Sequence, residues 1–226
     1  MRLPEFITFT GIDENTDPIS LLKINADYPN LAEFGVLFSP KLQGIGNRYP
    51  ELEIIEEIVA PLSETLSFSA HLCGEYATRV LSNETPNLPF ELFERVQINT
   101  RNTFDAQKLL NFSKIIDNKP VIIQCRDEQT FPDNLSSNKL LWLYDKSGGR
   151  GTRITAWPSV YKDNVMVGFA GGITPENVSE ILNEIDCPIP YWIDMETGIR
   201  TNDWFDIFKV REVLTVVYGL PKKVGK

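Results

Sequence analysis

The sequence holds a single histidine, His71, and only three cysteines, Cys73, Cys125 and Cys187, in 226 residues. One imidazole excludes a metal site built from several histidines of this chain, and any histidine-dependent proton relay must pass through position 71. The cysteines are odd in number, widely separated and lack Cys-x-x-Cys spacing, which argues against a disulfide framework or a zinc knuckle. His71, Cys73 and Cys125 would need a fourth ligand to hold zinc, and the sequence indicates none; no cofactor is expected. Basic residues are also in the minority, 22 Lys and Arg against 31 Asp and Glu, for a net charge of −9. Such a surface repels phosphate backbones and anionic lipid, so neither nucleic acid nor membrane is an expected partner. No stretch reaches the roughly 18 to 20 apolar residues of a bilayer span, and Met1-Arg2-Leu3-Pro4-Glu5 lacks an apolar leader. A cytoplasmic protein is expected.

What is present is a 42% apolar composition with 14 glycines and 15 prolines, the balance of a globular chain with a sizeable core. Eight short apolar runs end near Phe9, Phe38, Ala70, Ile98, Gln124, Tyr144, Ala170 and Ile193, at roughly 20 to 30 residue intervals. Helix-start chemistry follows several of them: Asp17-Pro18, Tyr49-Pro50 and Thr174-Pro175-Glu176. Apolar stripes at helical spacing run from Leu52 to Val59 and from Phe205 to Val217. Strands alternating with helices imply parallel pairing through right-handed crossovers, and eight such units over residues 1–226 predict one domain, a (β/α)₈ TIM barrel. Arg126 to Lys139 carries Pro132 and no helical stripe, so a loop is expected to replace one outer helix. An open doubly wound sheet is the alternative.

In such a barrel ligands meet the carboxyl ends of the strands. The residues there are Thr10, Gly11 and Asp13 after the first run, Lys41 and Arg48 after the second, and His71 and Cys73 after the third. Gln97, Asn99 and Gln124 follow the fourth and fifth, Asp145 the sixth, and Asp194, Glu196, Thr197 and Gly198 the eighth. Two glycine-rich turns stand out, Gly148-Gly149-Arg150-Gly151 after the sixth run and Gly171-Gly172 after the seventh. Glycines leave backbone N–H groups unshielded, and the second pair precedes a helix start, so together they form a candidate cup for a phosphorylated small molecule.

Leu141 to Thr152, followed by Gly168-Phe169-Ala170-Gly171-Gly172-Ile173-Thr174-Pro175-Glu176-Asn177-Val178, resembles the sixth and seventh strand loops of phosphoribosylanthranilate isomerases. Ile193-Asp194-Met195-Glu196-Thr197-Gly198 is similar to that family's eighth-strand Asp-x-Ser-Ser-Gly loop. The resemblance covers the C-terminal third and implies an Amadori rearrangement of an aminoaldose into an aminoketose, a step of tryptophan biosynthesis. It implies phosphate binding by Gly148, Gly149, Gly151, Gly171, Gly172, Thr197 and Gly198, and Asp145 as the general acid that protonates the ribose ring oxygen.

The family's base is a cysteine after the first strand, in Lys-Ile-Cys-Gly, where this chain has Thr8-Phe9-Thr10-Gly11. A threonine hydroxyl is too weakly acidic to replace a thiolate. The third and fourth strands depart as well, with Ala70-His71-Leu72-Cys73-Gly74 and Gln97-Ile98-Asn99. A divergent branch is expected, with its base drawn from His71 first and Asp13 second. A His71 to Cys73 pairing that lowers the thiol pKa is a further candidate. Thr10, Lys41, Arg48, Gln97, Asn99, Gln124 and Asp194 are the expected substrate contacts. Two other classes fit the same residues: a lyase or aldol enzyme that kept the cup, and a non-catalytic barrel that binds a phosphometabolite.

Overall fold

The computed structural model describes residues 2–126, 137–148, 151–154, 156–158 and 166–221. Eight parallel strands close into a barrel in sequence order: β1 (Ile7–Thr10), β2 (Ala32–Phe38), β3 (Ser67–Cys73), β4 (Arg95–Asn99), β5 (Val121–Cys125), β6 (Leu140–Tyr144), β7 (Val167–Ala170) and β8 (Tyr191–Met195). Thr8 and Asp194 are register partners where β8 closes on β1.

The strands are buried along nearly their whole length, which is why they read as continuous apolar runs. Alternation splits them into two faces. Phe9, Val36, Leu72, Ile98, Ile123, Trp142, Phe169 and Ile193 point outward into the main core beneath the helices. Ile122, Leu141, Leu143, Ala170 and Trp192 form a smaller apolar cluster. The amino-terminal floor of the barrel is polar: Glu33 accepts from Thr8 Oγ1 at 2.9 Å and from Arg95 Nε at 2.9 Å and Nη2 at 2.5 Å. The Arg95 guanidinium lies 4.0 Å from the Phe6 ring centroid and 5.3 Å from that of Trp192, so the ion pair is roofed by aromatic surface.

The helices are α1 (Pro18–Asp27), α2 (Ala60–Leu62), α3 (Glu75–Leu81), α4 (Ala106–Ile115), α5 (Val178–Glu184) and α6 (Ile207–Tyr218). Asp17 caps α1 through its carboxylate with Pro18 in the first turn, and Asp206 caps α6 in the same way. One start differs from expectation. After Tyr49-Pro50 the chain forms a π-turn over Ile55–Val59 that runs into the three-residue α2. Pro61 has no N–H to continue an α-helical ladder there. After Thr174-Pro175-Glu176 a turn leads into α5, which begins at Val178 as expected. The segment expected to lack a helix between β5 and β6 lies largely outside the described residues. A short hairpin, β9 (Arg200–Thr201) with β10 (Trp204–Phe205), follows β8 and leads into α6.

Candidate active site

The carboxyl ends of the strands open onto two adjoining clefts. The first is lined by Thr10, His71, Gln97, Asp145, Ser147, Gly151, Gly171, Gly172, Asp194, Thr197 and Gly198, and the second by Arg48, Tyr49, Cys73, Arg101, Arg126 and Gly148. Asn99, Gln124 and Glu196 border both. Thus Thr10, Gln97, Asn99, Gln124, Asp145, Asp194 and five of the expected cup residues converge on the first cleft. Gly149 lies outside the described residues, and Gly148 belongs to the second cleft, where an added Cβ would sit 2.1 Å from Arg126 Nη2.

The turns after β6, β7 and β8 press against one another. A Cβ on Gly172 would lie 2.3 Å from the Arg153 backbone nitrogen, and one on Gly198 would lie 2.0 Å from the Ile173 carbonyl oxygen. Any larger residue at either place would push the loops apart. No lysine or arginine among the described residues lines the first cleft. An anion there would have to be held by backbone N–H groups and hydroxyls.

Asp145 follows β6 and is 4% exposed. Gln124 Nε2 donates to its Oδ2 at 2.6 Å, while Ser147 Oγ (2.6 Å) and Gly148 N (3.0 Å) donate to its Oδ1. The carboxyl is therefore fixed in orientation with its plane set by three donors. Across the cleft, Asp194 Oδ1 accepts from Thr10 Oγ1 at 2.7 Å and Oδ2 accepts from Gln97 Nε2 at 3.3 Å. Burial pushes the Asp194 carboxyl up to about 7; the two hydrogen bonds pull the other way and the nearby Asp145 and Glu33 add to the rise. Glu196 is also raised by burial, and its partner Arg48, 2.7 Å away, opposes that.

Several expectations are corrected. His71 is buried with both ring nitrogens engaged, Nε2 at 3.0 Å from Ser69 Oγ and Nδ1 at 3.1 Å from Gln97 Nε2. Burial lowers its pKa to about 4, so it is a neutral strut and not a strong base. Its ring does not pair with Cys73: the thiol approaches the His71 backbone oxygen and accepts from Asn99 Nδ2 at 3.4 Å. Burial raises the Cys73 pKa, the reverse of the activation anticipated from the sequence. Asp13 is fully buried and lines neither cleft, because its Oδ2 is taken by Arg200 Nη2 at 2.9 Å and by Phe205 N at 2.7 Å. That ion pair ties the β9–β10 hairpin to the loop after β1. Lys41 is exposed and borders neither cleft. Arg48 does reach the mouth, but its guanidinium is spent on Glu196, Thr197 and Asp203.

Other residues carry weight beyond the expected set. Ser69 is two positions before His71 on β3, so alternation alone places both on the lumen face. Ser147, two residues after Asp145, grips that carboxyl. Tyr49 and Arg126 had no local signal, since both depend on loop paths that bring them beside Cys73 and Gly148.

A closed eight-stranded parallel barrel, with paired carboxylates at its carboxyl-end mouth and glycine turns packed on one side, defines a (β/α)₈ barrel with an enzyme-like site. The model of the N-(5'-phosphoribosyl)anthranilate (PRA) isomerase family matches residues 98–216, more than half of the chain, and the chain belongs to that family. No curated protein sequence matches it. Among solved structures it is similar to the phosphoribosyl anthranilate isomerase of Thermus thermophilus, at 19% identity and TM-score 0.59 over 94% of this chain and 98% of that one. It is similar also to the enzyme of Thermotoga maritima, at 15% identity and TM-score 0.61 over 95% and 99%. The enzyme of Pyrococcus furiosus aligns at 16% identity and TM-score 0.56 over 95% and 99%. At these identities the structural likeness speaks for the fold, and the family match speaks for the lineage.

Proposed function

We propose that this barrel isomerises N-(5'-phosphoribosyl)anthranilate to the corresponding aminoketose, a step of tryptophan biosynthesis, with Asp145 as general acid. The observation that carries this reading is the convergence of Gly151, Gly171, Gly172, Thr197 and Gly198 on a cleft that also holds Asp145 and Asp194. Family membership supplies the substrate class.

The chemistry needs two proton transfers to reach the enolamine and two more to reach the ketone. A proton delivered to the ribosyl ring oxygen lets the C1–O bond break while the nitrogen lone pair forms a C1=N bond. Removal of the C2 proton then places its electron pair between C1 and C2 and returns the other pair to nitrogen, giving an enolamine. Loss of the enol proton and protonation of C1 yield the ketone, with no net gain or loss of atoms. Asp145, oriented by Gln124, Ser147 and the Gly148 amide, serves the first transfer. The phosphate occupies the glycine-turn side of the first cleft, held by backbone amides and the Thr197 hydroxyl. The anthranilate ring and its carboxylate lie toward the second cleft, where Arg101 and Arg126 give a positive edge.

Purified protein mixed with phosphoribosylanthranilate is expected to convert it to the ketose, followed by chromatography, and the coding sequence should restore growth of a tryptophan auxotroph lacking this isomerase. Absence of growth together with no conversion in vitro would end the assignment.

A further inference from the structure

The first transfer has an acid; the second needs a base, and among the described residues four titratable side chains border the first cleft: His71, Asp145, Asp194 and Glu196. Three are accounted for. His71 has both ring nitrogens engaged, Asp145 is given to the ring oxygen, and Glu196 is held by Arg48 at 2.7 Å. Cys73 borders only the second cleft. Asp194 remains, a carboxylate with two neutral donors and, among the described residues, no Lys or Arg partner.

Resting on the proposed isomerase reading, we infer that Asp194 is the base that removes the C2 proton, and that Thr10 is its positioning residue. Thr10 Oγ1 gives its only proton to Asp194 Oδ1 and so cannot itself act on the substrate. Among the described residues Oδ2 has only the long 3.3 Å contact from Gln97, and it keeps a lone pair for the incoming proton. The room for this arrangement comes from β2: a Cβ on Gly35 would fall 2.7 Å from Thr10 Oγ1 and 3.0 Å from His71 Nε2. His71 in turn supports Gln97, which reaches Asp194, so the imidazole acts through the amide. The transfer moves one proton from C2 to an Asp194 oxygen while the C–H electron pair enters the C1=C2 bond. The protonated acid then returns its proton to C1 as the enol O–H proton leaves to solvent, which also reprotonates Asp145 and completes the cycle. Burial supports the same role, because it lifts a carboxyl into the pH range where it both accepts and donates.

The charged and titratable groups facing Asp194 are Asp145 on the β6 loop, Glu33 on β2, Glu196 beside it after β8, and His71 through Gln97. The test is the pH profile of kcat/KM for wild type, Asp194→Asn and Thr10→Val. Wild type should show an acid limb with its midpoint near 7. Asp194→Asn should lower kcat by about 10²- to 10⁴-fold, change KM by less than about threefold, and abolish the limb. Thr10→Val removes a hydrogen bond to the ionised carboxylate, so its limb should move to higher pH with a smaller fall in kcat. A folded Asp194→Asn that keeps wild-type kcat, or one that is slower with the limb unmoved, would overturn the assignment. If Asp194→Asn does not fold, an unmoved limb in Thr10→Val overturns it instead. A wild type inactive on phosphoribosylanthranilate sinks this inference and the proposed function together, whereas an active wild type with either unchanged profile sinks this inference alone.

Discussion

Arg48 Nη1 lies 2.7 Å from Glu196 Oε1 and the same guanidinium reaches Asp203 through Nε at 3.0 Å, so one loop arginine bridges the last catalytic-face loop and the hairpin after it. Glu196 borders both clefts, and Arg48 is the cation that keeps its charge tolerable there. Arg48→Ala is expected to raise the Glu196 pKa further and to raise KM several-fold, with a stability loss of about 1 kcal/mol because the pair is partly solvated. Steady-state kinetics and thermal unfolding check this; an unaltered KM would place the pair outside substrate binding.

The acid can be tested apart from the base. Asp145→Asn should reduce kcat by about 10²-fold or more while leaving KM within a small factor, since the amide keeps the shape and loses the proton. Gln124→Ala, which removes the 2.6 Å donor to Asp145 Oδ2, should produce a milder fall in kcat. Wild-type turnover in Asp145→Asn would remove the residue from the reaction.

The glycine turns make a steric prediction. At Gly198 the obstacle to a methyl group is the Ile173 carbonyl, 2.0 Å from the added Cβ. Gly198→Ala must therefore separate the β7 and β8 loops. The expected result is a KM at least about tenfold higher and weaker inhibition by inorganic phosphate, with kcat less affected. If phosphate inhibits wild type and variant alike, the anion is bound elsewhere.

Stability should depend on pH through Asp194. Its folded pKa is raised to about 7, above the ordinary 3.8, so the folded state holds its proton more tightly than the unfolded chain. The contribution is fully present below about pH 4, declines as pH rises between the two values, and is lost above about 7. Asp194→Asn lacks the ionisation, so its melting temperature should gain on wild type as pH increases from 4 to 8. By about 1.36 kcal/mol per pK unit, the gain is on the order of a few kcal/mol. A pH-independent difference would mean the carboxyl ionises freely in the fold.

At the opposite end of the barrel the buried Glu33–Arg95 pair should matter chiefly for folding. Arg95→Met leaves the Glu33 carboxylate without its cation and should cost about 3 to 5 kcal/mol, and Glu33→Leu in the same chain should recover most of it. Below the melting transition kcat/KM on the plateau above the acid limb should stay near wild type, while Glu33→Leu moves that limb to lower pH because the Glu33 charge adds to the rise at Asp194. A selective loss of activity would show that the floor communicates with the mouth.

Much of the architecture was legible because the physics behind it is local. A parallel strand covered on both faces must be apolar throughout, and Leu140–Tyr144 or Val121–Cys125 carries that signature within five residues. Asp17-Pro18 announced α1 because a cap and a proline act on their own turn. The glycine loops were visible for the same reason. What could not be read is set by the closed ring. His71 suits base chemistry in solution, and only its burial between Ser69 and Gln97 disqualifies it. Asp194 was one carboxylate among several until β1 and β2 came around it. Asp13 and Lys41 follow strand ends as site residues do, but the chain path turns the first into the Arg200 ion pair and leaves the second in solvent.

The bond between Thr10 and Asp194 spans 184 positions and crosses the seam where the last strand meets the first. Its formation therefore requires closure of the sheet, a contact of long sequence separation whose ordering cost must be met before it is rewarded. Chemical competence would emerge only at that final stitch, and a nascent polypeptide stalled before residue 191 would carry the acid but have no acceptor.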